Sequence, residues 1–182
     1  DVFEIMLPER DLSQLPSSMF FQCMSHTATA NVAHYLGLTG YTMATAAACA
    51  SALQAIGIGY DLIRLDRQDI FLCGGAEELH PTVTGSFDVL FATSVKYNKT
   101  PKKTPRPFDK DRDGLVCGEG SGILVLEEYE HAVSRNAKIY AEITGYSTFG
   151  SAVHMSQSDK KSMMYCMNEV LKDSNIAPKQ ID

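Results

Sequence analysis

Tyr41-Thr42-Met43-Ala44-Thr45-Ala46-Ala47-Ala48-Cys49-Ala50-Ser51-Ala52-Leu53-Gln54-Ala55-Ile56-Gly57 reads as a short strand, a tight turn of small residues and a helix beginning near Cys49. From Ala52 onward, apolar residues recur at helical spacing: Ala52, Leu53, Ala55, Ile56, Leu62 and Ile63. The residues around Cys49 are almost all small, so backbones can approach closely and leave room to reach the sulfur. A cysteine at a helix start lies among free N–H groups at the positive end of the helix dipole, and both favour the nucleophilic thiolate. On this stretch alone the plainer reading is an ordinary packed helix start, because free cysteine is among the most buried residue types. The strand-to-helix position sets a catalytic reading beside it.

Downstream, Arg64 to Gln68 is a polar turn, and Asp69-Ile70-Phe71-Leu72-Cys73 is a continuous apolar run closed by Gly74-Gly75. Such a run suits a strand buried on both faces. Strand, helix, buried strand is the βαβ pattern of a layered α/β fold. Ala76 to Leu90 forms a further segment, and Lys96 to Arg112 is a loop broken by Pro101, Pro105 and Pro107. Ile123 to Glu127 is another buried strand, Glu128 to Arg135 a short helix, and Lys138 to Tyr146 a long strand alternating at Ile139, Ala141 and Ile143. Asp159 to Asp173 is an amphipathic helix with Met163, Met167, Val170 and Leu171 on one face. Upstream, Ser17 to Gly37 is helical with Met19, Phe20, Met24, Ala28, Val32 and Tyr35 on one face, and Gly37 and Gly40 end it. Asp1 to Pro16 has weak periodicity and reads as a loop or short helix.

The 182 residues are enough for one sizeable core, or one domain plus a fragment. With 45% apolar and 21% charged residues the composition is that of an ordinary globular protein, and the net charge of -6 implies no general affinity for nucleic acid. No apolar run approaches a membrane span, and no signal pattern opens the chain. The five cysteines are odd in number, lie far apart, and have no metal-binding spacing with one another or with histidine. A reducing, cytoplasmic setting follows. Either end reads as a cut as readily as a natural terminus.

Other motifs favour structural readings. Gly118-Glu119-Gly120-Ser121-Gly122 precedes a strand rather than a helix and lacks the Lys-Ser/Thr of a phosphate loop, so it reads as a close-packed turn. Asp109, Asp111, Asp113 and Gly114 mimic the start of a calcium loop, but Gly120 stands where the bidentate glutamate is required. A turn salt-bridged through Arg106 and Arg112 fits better. Lys96, Lys99, Lys102, Lys103 and Arg106 form a basic run with no acid between them. The plain reading is a solvated loop, and the functional one a landing patch for an acidic partner. None of His26, His34, His80, His131 and His154 is placed next to Cys49 by sequence.

Several motifs together resemble one family. Ala48-Cys49-Ala50-Ser51 with Ile56-Gly57 is similar to the nucleophile segment of the β-ketoacyl-[acyl-carrier-protein] synthases. Gly74-Gly75-Ala76-Glu77-Glu78-Leu79, Phe87-Asp88 and Lys96-Tyr97-Asn98 resemble its synthase I branch. The run from Arg106-Pro107-Phe108-Asp109 through Arg112-Asp113-Gly114-Leu115-Val116 and Gly118-Glu119-Gly120 to His131-Ala132 resembles the family's most recognisable stretch, and Lys138 to Tyr146 continues it. The likeness spans about residues 16 to 182.

The resemblance implies an α/β thiolase-like fold of five alternating layers, present here in part, with residues 1–182 one incomplete ketosynthase domain. It implies that Cys49 takes an acyl chain as a thioester and that a malonyl-carrier protein loses carbon dioxide and attacks it, with no cofactor and no metal. Thr84 and Phe87 match positions that line or gate the acyl pocket, and readings as ordinary turn and core residues stand equally beside that. Acyl carrier protein is the implied partner, in a homodimer or a heterodimer with a related subunit, with neither nucleic acid nor membrane. Ala47 stands where the family usually has Ser or Thr, and Gln54 where relatives often carry His. The family's two catalytic histidines and its lysine belong to its second half, and none of the five histidines here matches either. These residues alone are therefore expected to carry the nucleophile without completing condensation. A catalytic subunit of a type II polyketide or aryl-polyene synthase is the close alternative, left open by His80-Pro81-Thr82-Val83. A truncated, non-catalytic dimerisation piece is the alternative of another class.

Overall fold

Local signals set the helices. The computed structural model describes residues 13, 16–22, 24–154 and 157–182. In it Ser51–Arg64 forms a helix (α3) entered through a 3-10 turn at Ala48–Ala50, one residue from the expected start at Cys49. Lys160–Asp173 (α6) is capped by Asp159, whose carboxylate accepts from the Ser162 N–H at 2.8 Å. Tyr129–Ser134 (α5) is capped in the same way by Glu128, which accepts from His131 N at 2.7 Å. Pro81–Val89 (α4) starts on a proline, whose missing N–H costs a helix nothing in its first turn.

The expected helix over Ser17 to Gly37 is two helices, Ser18–Gln22 (α1) and Thr27–Leu36 (α2). Met24 to His26 interrupt them, and the Met24 carbonyl accepts from Thr27 N at 3.0 Å to start the second. Gly37 ends α2 in the left-handed conformation at φ 65°. Most of the reading of Asp1 to Pro16 lies outside the described residues, as does Cys23.

Two strands, Ile70–Glu77 (β1) and Gly120–Glu127 (β2), pair in one sheet. Glu128 N donates to Asp69 O at 2.9 Å, while the backbone of Gly122 and Ile123 lies against Gly74. One strand's numbering rises as the other's falls, so the ladder is antiparallel. β1 runs through Gly74-Gly75 instead of closing there, because Gly74 has no side chain to keep the Gly122 carbonyl away. The expected strands at Tyr41 and at Lys138 to Tyr146 carry no ladder among the described residues. Alternation makes a segment fit for a sheet, but pairing makes it a strand, and no described neighbour pairs with either. Among the described residues the βαβ unit expected around Cys49 therefore shows no paired first strand.

Burial is the second correction. Of the expected buried strands only Cys73 is enclosed, at 4% exposure; Ala132 on α5 is the other buried apolar residue described, at 5%. Val125, in the middle of β2, is 61% exposed. The apolar runs are as expected, but what covers them is not among the described residues.

The chain divides into two compact units, Asp1–Cys73 with Leu124–Asp182, and Gly74–Ile123. In the first, α3 carries two glycines because neighbours press against it. A Cβ on Gly57 would lie 2.1 Å from the Tyr146 ring, and one on Gly59 would lie 2.5 Å from the Cys73 sulfur. At the far end of α3, Arg64 donates to Asp173 at 3.0 Å, and Asp173 also accepts from Tyr146 N at 2.9 Å. That carboxylate ties the C-terminal ends of α3 and α6 to the segment around Tyr146.

Glu127, its side chain 9% exposed, accepts from Arg135 Nε and Nη2 at 2.6 Å each and faces His131 Nδ1 at 2.6 Å. The Arg135 hydrogen bonds, with His131, hold its carboxyl at about 2 against an ordinary 4.5. A depressed carboxylate stabilises the fold above its unfolded value and loses that contribution as pH falls through the folded one. Thermal melting from pH 5.5 to 2 is expected to show a shallower acid fall in Glu127→Gln than in the parent, the two curves keeping a constant separation above about pH 4.5 and converging as pH falls from there toward about 2. Parallel curves would mean the cluster contributes nothing.

Candidate active site

Cys49 is exposed, in the 3-10 turn that leads into α3. The 14-residue α3 directs its N-terminal N–H groups toward this turn, an arrangement that favours negative charge there. Cys73 is the contrasting case: it is enclosed, and burial pushes its thiol up, away from the thiolate. Cys117 and Cys166 are half-buried, and the Cys166 sulfur lies 3.5 Å from both the hydroxyl and the carbonyl oxygen of Ser147.

Ala48, immediately before Cys49, has φ 48°, the left-handed region that non-glycine residues rarely enter. Such a residue costs about 1–3 kcal/mol and persists only where its surroundings hold it. The neighbours supply the restraint. Ala47 N donates to Ser51 Oγ at 2.8 Å, and Ser51 Oγ donates to Ala48 O at 2.8 Å. Ala50 N donates to Ala47 O at 3.0 Å, and Thr45 Oγ1 donates to Ser51 O at 2.8 Å. Sequence reading gave no role to Ser51 or Thr45, since a serine at a helix start ordinarily reads as a cap.

Thr84 and Phe87 lie on α4, in the second unit. Thr84 is exposed and lines two hollows, of about 630 and about 320 Å³. Phe87 is half-buried and lines neither of these two. Leu79, Thr93, Ser94 and Asn98 line both, and Cys117 lines the smaller.

The alternating aspartates are structural, as expected. Asp109 pairs with Arg106 at 3.0 Å, its other oxygen accepts from Asp111 N at 2.7 Å, and its carbonyl accepts from Arg112 Nη1 at 2.9 Å. The Asp111 N–H, with the Arg106 charge, holds Asp109 below the usual carboxylate range. Asp113 accepts from Val95 N, Lys96 N and Ser94 Oγ at 2.7–3.0 Å, fixing the start of the basic loop. Lys96, Lys99, Lys102 and Lys103 on that loop are all exposed.

Residues 5–132 match the model of the β-ketoacyl synthase N-terminal domain. The chain belongs to the β-ketoacyl synthase family. It is 38% identical over 180 residues to the mitochondrial 3-oxoacyl-[acyl-carrier-protein] synthase of Arabidopsis thaliana, covering 97% of this chain and 39% of that protein. It superposes on the crystal structure of a β-ketoacyl synthase from Burkholderia phymatum with a TM-score of 0.90 at 43% identity, covering 96% of this chain and 43% of that one. A type II polyketide-synthase acyl-carrier protein in complex with its ketosynthase bound to the hexaketide gives a TM-score of 0.85 at 36% identity, covering 91% of this chain and 41% of that one. The thiolase-like α/β fold is therefore present in part, and the chain spans about two fifths of the length of the curated relatives it matches. Among the described residues no helix is long and apolar enough to cross a membrane.

Proposed function

We propose that the protein is a 3-oxoacyl-[acyl-carrier-protein] synthase, an acyltransferase in which Cys49 accepts an acyl chain as a thioester. A malonyl-carrier protein then loses carbon dioxide, and the resulting carbanion attacks the thioester carbonyl, releasing the Cys49 thiolate and a chain two carbons longer. The observation that carries this reading is Cys49 itself: an exposed thiol behind a strained alanine at the start of a long helix, in a chain of this family. The Cys49 backbone N–H is one donor to the oxyanion that forms during transfer. Thr84 and Phe87 contribute to the acyl pocket, supported so far by the exposure of Thr84 to the hollows beside α4. The site is cytoplasmic and dimeric in this reading. None of the five histidines here matches the family's catalytic pair, so in this reading the 182 residues alone do not complete condensation.

The intact mass of the natural protein before and after an acyl-carrier-protein thioester tests the reading. A gain of one acyl group supports it; no gain leaves the non-catalytic dimerisation piece. The type II polyketide alternative draws on the 36% identity to a polyketide ketosynthase, and extension assays with successive malonyl units separate the two.

The fixed loop bearing Lys96, Lys99, Lys102 and Lys103 is the docking surface for a carrier protein with an acidic face. Charge reversal at Lys99, Lys102 and Lys103 together is expected to raise the KM for the carrier protein about tenfold at low ionic strength, the gap narrowing as salt is added. An unchanged KM at low salt would remove the loop from the docking surface.

A further inference from the structure

We infer that Ser51 is a positioning residue for acyl transfer, holding the peptide between Ala48 and Cys49 in the orientation that aims the Cys49 N–H at the developing oxyanion. The inference rests on the proposed role of Cys49 as acyl acceptor. A serine opening a helix usually accepts from an N–H two or three residues ahead. Ser51 does the reverse: its hydroxyl accepts from Ala47 N, four residues behind, and donates to Ala48 O, both at 2.8 Å. The Ser51 N–H also donates to Ala48 O. One residue thus grips both sides of Ala48, the residue held at φ 48°.

The consequence for chemistry follows from peptide planarity. The Ala48 carbonyl and the Cys49 N–H belong to one rigid plane and point in opposite directions. Fixing the carbonyl fixes the N–H. A hydrogen bond to that carbonyl also polarises the amide, which strengthens its N–H as a donor. Without the hydroxyl, Ala47 N loses its partner and Ala48 O keeps only the Ser51 N–H, so the hold on Ala48 in the left-handed region loosens. The Thr45 hydroxyl, donating to Ser51 O at 2.8 Å, restrains the Ser51 backbone itself.

The test compares two reactions of Cys49 in the intact natural protein. Acyl transfer from an acyl-pantetheine thioester builds an oxyanion; alkylation by iodoacetamide does not. In Ser51→Ala the kcat of acyl transfer is expected to fall about tenfold with KM within about twofold, while the alkylation rate at each pH from 6 to 9 stays within about twofold. Ser51→Thr, which keeps the hydroxyl, is expected to recover at least half of the acyl-transfer rate. Should Ser51→Ala not fold, the near-isosteric pair Ser51→Thr and Ser51→Val carries the comparison, with the deficit in the valine variant alone. Equal acyl transfer in parent and Ser51→Ala, equal rates in the threonine and valine variants, or acyl transfer and alkylation falling together would each overturn the assignment. An unsubstituted protein that takes no acyl group would overturn the proposed function, and this assignment with it.

Discussion

Acyl loading of the intact protein falls by at least about 10³-fold in Cys49→Ala, because no neighbouring group can take over covalent capture of the chain. The other described thiols are poorly placed to substitute. Cys73 is enclosed against Gly59 of α3 and its thiol is pushed up by burial. Cys117 and Cys166 are half-buried, and the Cys166 sulfur is engaged with Ser147. Intact mass after exposure to an acyl-carrier-protein thioester reads the result, with Cys166→Ala as the control that loads normally. Full loading in Cys49→Ala would sink the assignment of the nucleophile.

Gly57→Ala is expected to destabilise the protein by about 1–2 kcal/mol, the net of two effects that oppose each other. Alanine improves intrinsic helix propensity by about 1 kcal/mol over glycine, so on an open helix face the change would stabilise. At position 57 the new methyl would stand 2.1 Å from the Tyr146 ring, far inside any van der Waals contact. Over-packing of this kind costs about 1–3 kcal/mol and occasionally more. The Tyr146 backbone is held by Asp173, which accepts from its N–H at 2.9 Å, so relief has to come from rotation of the ring alone. The collision therefore outweighs the propensity gain. Urea unfolding followed by circular dichroism measures the shift in midpoint at constant slope. Adding Tyr146→Ala to Gly57→Ala is expected to recover more stability than independent changes allow, the signature of direct contact. A Gly57→Ala protein as stable as the parent would show that the ring moves aside.

The contrast between these two positions says where sequence reading succeeds. Cys49 stood out because its neighbours are small and a helical period begins at Ala52. The helices α3, α5 and α6 were legible for the same reason: their hydrogen bonds close within four residues, and caps such as Asp159 sit beside them in the chain. The strands at Tyr41 and Lys138 to Tyr146 were not, because a ladder depends on a partner that alternation does not specify. β2 shows the same divide in burial. Ile123 to Leu126 announce a segment that needs cover, yet Val125 is 61% exposed among the described residues.

Gly57 and Ser51 mark the limit most sharply. A glycine within a helix and a serine at its start each have an ordinary local explanation. The Tyr146 ring that excludes a methyl from Gly57 comes from 89 positions along the chain, and the restraint on Ala48 depends on a backbone angle that no residue type announces. Residue order determined where α3, α5 and α6 form and which cysteine stands at the start of a helix, because those outcomes follow from contacts within a turn or two. Which glycine tolerates no side chain, and how the peptide before Cys49 is held, came only with the fold, through atoms that meet once the chain has closed on itself.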